Sequence, residues 1–129
     1  MLIHLSQPGI FIQFIPHQEQ RYDTCGDWFY EGPHLFIRVS NNLPEYASRI
    51  EQEAVALHEL TEALLCRHRG VTQKMVDEFD FKWQNGQAEP GDNPDAPYHR
   101  QHEVADIVER VYLHEAQGYN LAHTHKEVK

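Results

Sequence analysis

The sequence predicts an α+β fold, in which a small N-terminal antiparallel sheet packs on a long central helix and a C-terminal helix. Two observations support this prediction. β-branched and aromatic residues are frequent in the chain up to Val39, whereas apolar residues at helical spacing follow from Glu45 to about Arg69 and again after Pro97. Strands and helices that occupy separate parts of a chain are typical of the α+β class.

The length of 129 residues allows one compact core but not two ordinary domains. Hydrophobic residues make up 40% of the chain, which supplies enough apolar surface to offset the loss of chain entropy on folding. We therefore expect a single domain over residues 1–120, followed by a flexible tail over residues 121–129.

The predicted strands lie in two segments. Residues 2–16 carry apolar side chains in partial alternation, and residues 28–39 form a second β-rich run that is interrupted by the turn residues Gly32 and Pro33. We expect these segments to pair as antiparallel strands.

Three helices are predicted after the strands. The central helix should end at Gly70, Thr72 is suited to cap a short second helix, and the Gly- and Pro-containing residues 84–96 predict a loop. The last helix should end at Gly118. Its apolar stripe, which we expect to dock on the core, consists of Val104, Ile107, Val108, Val111 and Tyr112.

The charge and the cysteine content exclude several kinds of site. The formal net charge is -9 at pH 7, without the basic patch that nucleic-acid-binding proteins carry. Cys25 and Cys66 lack the spacing of a thiolate zinc site. Because the sequence shows neither an export signal nor an apolar run of the ~18 residues that span a bilayer, we expect a cytoplasmic protein without nucleic-acid or membrane partners.

The segment His58-Glu59-Leu60-Thr61-Glu62 predicts a metal site. His58 and Glu62 stand four residues apart, so a helix places them on one face, one turn apart, where both can bind the same ion. The residues around them are largely apolar, and a buried carboxylate without a partner is energetically costly. The alternative is an ordinary hydrogen-bonded pair of His58 and Glu62 in a helix.

Glu59 has a different predicted role. Its side chain is rotated by about 100° from the helix edge that His58 and Glu62 share, which suits a general base better than a ligand. Asp77 and Asp80 are candidates to orient a ligating histidine through its second ring nitrogen.

A third ligand must come from another part of the chain, because two protein ligands rarely hold a catalytic ion. We expect it to be His102, which lies in the last helix at the border of the apolar stripe. Asp106 and Glu109 share its helix face, and a solvated polar face is the alternative for all three residues.

The order of strands, a helix with His58-Glu59-x-x-Glu62 and a later histidine resembles zincin-type metallopeptidases. In those enzymes the motif helix supplies two zinc ligands and the general base, and Glu62 stands where they usually have a second histidine. The resemblance implies a zincin-like fold, zinc as the cofactor and metal-assisted hydrolysis of a peptide or protein substrate, with Glu59 moving the proton.

Most of the chain from Gly26 to Glu109 also resembles a set of small uncharacterised phage and prophage proteins. This resemblance implies a bacterial or phage-encoded protein and no particular activity. The segments that carry it are Gly26-Asp27-Trp28, residues 58–66, Gly70-Val71, residues 77–80 and residues 96–102.

Two other functions fit parts of the sequence. Glu59-x-x-Glu62 followed by Glu103-x-x-Asp106 is similar to the paired acidic motifs of all-α nucleotide pyrophosphohydrolases, which hold Mg²⁺ with carboxylates. A non-catalytic interaction protein, whose metal is structural or absent, is the third hypothesis. A closed site with four protein ligands would favour it.

Overall fold

The computed structural model describes residues 7–83 and 89–118. In this part of the chain the strands precede the helices and pack against them, which confirms the α+β class. The strands are β1 (Ile10–Ile15), β2 (Gly26–Glu31) and β3 (His34–Ser40), and the helices are α1 (Arg49–His68), α2 (Gln73–Lys82) and α3 (His99–Gln117). The tail predicted over residues 121–129 lies outside the described residues, as does the part of the first predicted strand segment that precedes residue 7.

The sheet is mixed rather than wholly antiparallel. β3 lies in the centre, where it pairs antiparallel with β2 and parallel with β1. The chain reverses direction between β1 and β2 and again at the turn that contains Gly32, so β1 and β3 run the same way. Side-chain alternation predicts where strands lie but not their relative direction. The antiparallel prediction is therefore right for β2 and β3 and wrong for β1.

α1 begins at Arg49, later than the predicted start at Glu45. The side chain of Ser48 accepts a hydrogen bond from the backbone N–H of Glu51, and the Glu51 carboxylate accepts one from the backbone N–H of Ser48, both at 3.1 Å. This capping box satisfies two N–H groups that a helix start leaves free. Pro44 begins a separate 3-10 turn instead.

The hydrophobic core lies between the sheet and α1. Ile37 and Val39 of β3 have no exposed surface, and they belong to one buried cluster with Val55, Ala63 and Cys66 of α1. α1 also packs against α3, which positions the HExxE segment between the sheet and the last helix. Among the described residues, no helix has the length and apolar character needed to cross a membrane.

α3 meets α1 through only part of the predicted apolar stripe. Tyr112 donates a 3.0 Å hydrogen bond to Glu53 of α1, and Val104 and Val108 are half-buried. His102 and Ala105 are buried, whereas Ile107 and Val111 of the predicted stripe are 52% and 57% exposed. His102, Asp106 and Glu109 of α3 lie against His58 of α1, so polar contacts form a large part of this packing.

Candidate metal centre

The HExxE segment of α1 is buried against α3. His58, Glu59, Glu62 and the α3 residue His102 are all buried. The imidazole rings of His58 and His102 have centroids 4.8 Å apart and are inclined by 71° to each other. The packing of two helices thus brings together the four residues that the sequence predicts for the site.

Glu62 lies between the two imidazoles. Its Oε2 atom is 2.9 Å from Nδ1 of His102 and 3.4 Å from Nε2 of His58, while its Oε1 atom accepts a 3.0 Å hydrogen bond from the indole N–H of Trp28. Around a tetrahedral ion with bonds of ~2.0–2.1 Å, neighbouring ligand atoms stand roughly 3.3 Å apart. One oxygen of Glu62 is therefore close to ligand-to-ligand distance from both rings, and Trp28 holds the other oxygen.

The second nitrogen of each imidazole faces a carboxylate. Nδ1 of His58 lies 2.8 Å from Oε1 of Glu109 and 3.3 Å from Oδ1 of Asp106, and Nε2 of His102 lies 3.0 Å from Oδ1 of Asp92. A histidine that binds a metal through one nitrogen commonly has its other N–H oriented by such a group. Glu109, Asp106 and Asp92 are therefore placed to orient the two rings.

Asp77 and Asp80, which the sequence predicts for this orienting role, have other partners. Arg21 donates hydrogen bonds of 3.0 Å to both oxygens of Asp77. Tyr22 and Tyr98 donate to Asp80 at 3.0 and 2.5 Å. These bonds tie α2 to the segment after β1 and to the start of α3. The assignment of Asp77 and Asp80 is therefore wrong, because the spacing along α2 gives no information on partners from distant segments.

The hydrogen bonding of the His58 ring nitrogens indicates whether the site residues are suited to bind a metal ion. Among the described residues, neither of its buried ring nitrogens has a hydrogen-bond partner, because the carboxylate oxygens at 2.8 and 3.4 Å lie outside the directional limits of a hydrogen bond. A buried polar atom without a partner costs free energy, and a bound ion would use one of these nitrogens. Imidazole and carboxylate donors fit a divalent transition metal.

The carboxylates also set the charges of the metal-free site. Burial alone would lower the pKa of His58, but Glu109 and Glu62 raise it to about 11. Burial likewise acts to lower the pKa of His102, and Glu62 raises it to about 9. For Glu62 burial acts to raise the pKa, but contacts with His102 and His58 lower it to about 2. Metal binding must therefore displace a proton from each imidazole.

Glu59 lines a cavity next to the site and lies over the start of β2. A side-chain carbon added at Gly26 would come within 2.9 Å of Oε2 of Glu59, so only glycine leaves room for this carboxyl group. Burial, and then the charge of Glu62, hold the pKa of Glu59 well above its usual range. A raised pKa lets a carboxyl group accept and return a proton more readily near neutral pH.

The cavity has a volume of about 710 Å³. All four predicted site residues form part of its wall, whereas Asp106 and Glu109 do not. The two imidazoles therefore have a cavity side, where Glu62 lies, and an opposite side, where Asp106 and Glu109 lie.

Among the described residues, the two groups of three ligand atoms that all lie close enough together to hold an ion do not contain Glu62. Each group offers three ligand atoms within 4.8 Å of one another, and both groups use His102. The members are His58, His102 and Asp106 in one group and Glu89, Asp92 and His102 in the other. The described residues thus contain groupings that could hold a metal ion, and they offer a carboxylate on either side of the imidazole pair.

Comparison of the chain with protein-family models, with curated proteins and with solved structures gave no match.

Proposed function

We propose that this protein is a metal-dependent hydrolase of the metallopeptidase type, which uses zinc to cleave a peptide or amide bond. The observation that carries the proposal is the convergence of His58, Glu62 and His102 beside a cavity that Glu59 also lines. Two imidazoles and one carboxylate form a donor set found in catalytic zinc sites, which leave a position open for water or substrate.

We assign the third ligand to Glu62 rather than to Asp106. Glu62 lies on the side of the imidazole pair that faces the cavity, where a substrate has room to bind. In this arrangement a polar group of the protein lies close to the remaining polar atom of each ligand. The pairs are His58 with Glu109, His102 with Asp92, and Glu62 with Trp28.

Apart from the contribution of zinc, the steps of hydrolysis would depend on side chains of the protein. A bound zinc ion would supply Lewis acidity towards the scissile carbonyl group and towards water. Glu59 is positioned on the cavity wall to take the proton of the attacking water and to return it to the leaving amine. The water oxygen then forms the new bond to the carbonyl carbon as the C–N bond breaks.

The arrangement of the acidic residues does not favour the pyrophosphohydrolase hypothesis. The Glu103 carboxylate is exposed and lies 3.4 Å from Nε2 of His99, whereas Glu59 and Glu62 are buried. The exposed position of Glu103 therefore supports the zinc proposal over a Mg²⁺ site shared by the two acidic motifs. The sheet packed on the helices also differs from an all-α fold.

Metal content and hydrolysis, measured on the same preparation, test the proposal. Protein purified without chelator or His tag should contain about one zinc ion per chain by elemental analysis, and it should cleave members of a mixed peptide library analysed by mass spectrometry. Glu59→Gln should keep the zinc and the fold but reduce hydrolysis by ~10²- to 10⁴-fold. Glu103→Gln, at an exposed position, is the matched control and should retain activity.

Three other results would contradict the proposal, favour another function or change the role assigned to Glu59. Protein that binds no metal would contradict the proposal. Stoichiometric zinc without cleavage of any peptide would favour the interaction-protein hypothesis. Loss of zinc in Glu59→Gln would show that Glu59 is a ligand rather than the base.

A further inference from the structure

The wall of the 710 Å³ cavity combines aromatic and acidic side chains. Among the described residues that form it, none is a lysine or an arginine. The described part of the wall has seven acidic side chains and two histidines, His58 and His102. Because these two imidazoles already lie against Glu62, Asp92 and Glu109, the cavity presents ring faces and an excess of acidic groups. The aromatic members of the wall are Tyr22, Trp28, Tyr46, Phe81, Trp83 and Tyr98.

Several acidic groups on the wall already have partners in the protein. Arg21 donates hydrogen bonds of 2.6 and 2.9 Å to Asp27, and Nε2 of His17 lies 2.7 Å from Asp23. Three carboxyl groups differ, because within the described part of the chain they make no hydrogen bond or ion pair. They belong to Glu45, Glu59 and Glu89.

Glu59 is the strongest evidence for a ligand. It is only 7% exposed, it faces the cavity, and no described residue donates a hydrogen bond to it. A buried carboxylate without a partner is unfavourable, and a positive charge beside it removes much of that cost. The aromatic faces attract the same kind of group, because the negative face of a ring binds an ammonium or guanidinium ion.

We propose that the cavity receives the positively charged side chain of a lysine or arginine in the substrate. The inference rests on the proposed function for the peptide nature of the ligand, whereas the charge preference depends only on the cavity wall. A glutamate side chain in the same place would meet the carboxyl groups of Glu45, Glu59 and Glu89, none of which offers it a positive charge. Glu45 and Glu89, which have no part in proton transfer, are the residues whose substitution tests the recognition.

Binding of matched peptides to the metal-free protein tests this inference apart from hydrolysis. The probes are N-acetylated, C-amidated Ala-Lys-Ala, Ala-Gln-Ala and Ala-Glu-Ala, titrated at low ionic strength and followed by two-dimensional NMR. The lysine peptide should bind at least ~10-fold more tightly than the glutamine peptide, and the glutamate peptide should bind most weakly.

Substitutions on the wall provide the second measurement. The double variant Glu45→Gln and Glu89→Gln should reduce the preference for lysine several-fold and leave binding of the glutamine peptide unchanged. Glu103→Gln removes an exposed carboxylate outside the cavity wall and should leave the preference intact.

Equal affinity for the three peptides, no binding of the lysine peptide at millimolar concentration, or an unchanged preference in the double variant would overturn the inference. A lysine preference in a protein that neither holds zinc nor cleaves peptides would support the inference and contradict only the proposed hydrolase function.

Discussion

The Oε2 atom of Glu62 lies 2.9 Å from the Nδ1 atom of His102, although 40 positions separate the two residues along the chain. This contact joins α1 to α3 and places the carboxylate of the motif helix on an imidazole of the last helix. The same oxygen lies 3.4 Å from Nε2 of His58. The candidate metal centre therefore depends on the packing of α1 against α3, and a change that separates the helices should also disrupt the site.

Substitution of the two competing carboxylates should identify the third ligand. Glu62→Gln should lower zinc affinity by more than the roughly 10- to 100-fold expected for loss of an orienting group, whereas Asp106→Asn should lower it by no more than that. His58→Ala and His102→Ala should be about equally severe, because both rings contact the same ion. Competition with a chromogenic chelator measures all four affinities.

The exposed His68, in the last turn of α1, provides the control, since His68→Ala should bind zinc as the wild type does. If Asp106→Asn proves more damaging than Glu62→Gln, the ion lies on the side of the imidazole pair that faces away from the cavity. Glu62 would then orient both rings through their other nitrogens.

The position of His58 relative to Glu62 could be predicted because helix geometry alone determines it. The burial of the motif also follows from a local signal, namely the apolar residues that surround His58 in the sequence. Only part of the packing face of α3 could be predicted from periodicity. Periodicity counts apolar side chains, whereas the face that meets α1 also carries Ala105 and a set of polar groups.

The residues that support the site could not be identified from the sequence. Trp28 reads as an ordinary strand residue, and Asp92 lies in a segment that predicts only a loop. Their roles arise because β2 and the 3-10 turn Pro90–Asp92 meet the helices in three dimensions. Tertiary contacts of this kind cannot be derived from spacing along one element.

Removal of the ion should lower thermal stability. A ligand that binds only the folded state at 100 times its dissociation constant adds about 2.7 kcal/mol, which corresponds to a rise in Tm of roughly 10 °C for a domain of this size. Zinc should therefore raise the Tm of the metal-free protein, measured by calorimetry, in a concentration-dependent way. The same titration of His58→Ala should give no rise. A wild-type Tm that does not respond to zinc would mean that the site does not bind it.

Gly91 should prove essential for the position of His102. A side-chain carbon at Gly91 would lie 2.5 Å from Cγ and Nδ1 of the His102 ring, so Gly91→Ala must displace either the ring or the turn that carries Asp92. We expect a loss of zinc affinity of roughly 10- to 100-fold, as for other disturbances of a ligand's supporting contacts. The measurement is the same chelator competition.

Gly32→Ala separates this effect from general destabilisation. Gly32 has a φ of 58° and no atom near its added carbon, so the substitution should cost roughly 1 kcal/mol of stability through backbone strain without changing zinc affinity. Unchanged affinity in Gly91→Ala would argue that the His102 ring does not bind the ion.

The stability of the metal-free protein should fall as Asp80 ionises. Burial raises the pKa of Asp80 from 3.8 to about 6, although hydrogen bonds from Tyr98 and Tyr22 act to lower it. Because the pKa is higher in the folded than in the unfolded state, the contribution of Asp80 to stability is fully present below pH 3.8 and is lost as the pH rises through about 6. Asp80→Asn cannot ionise, so its Tm should fall less than that of the wild type over this interval.

Tyr98→Phe should have the opposite effect from Asp80→Asn. It removes a donor that stabilises the Asp80 carboxylate, so the pKa of Asp80 should rise further and the loss of stability should extend to higher pH. Melting temperatures of the three proteins across the acidic range, combined with an NMR titration of the Asp80 carboxyl carbon, measure both effects. Parallel curves for the wild type and Asp80→Asn would show that Asp80 does not titrate in this interval. The pH dependence would then have to come from the other buried carboxyl groups with raised pKa, Asp27 and Glu59.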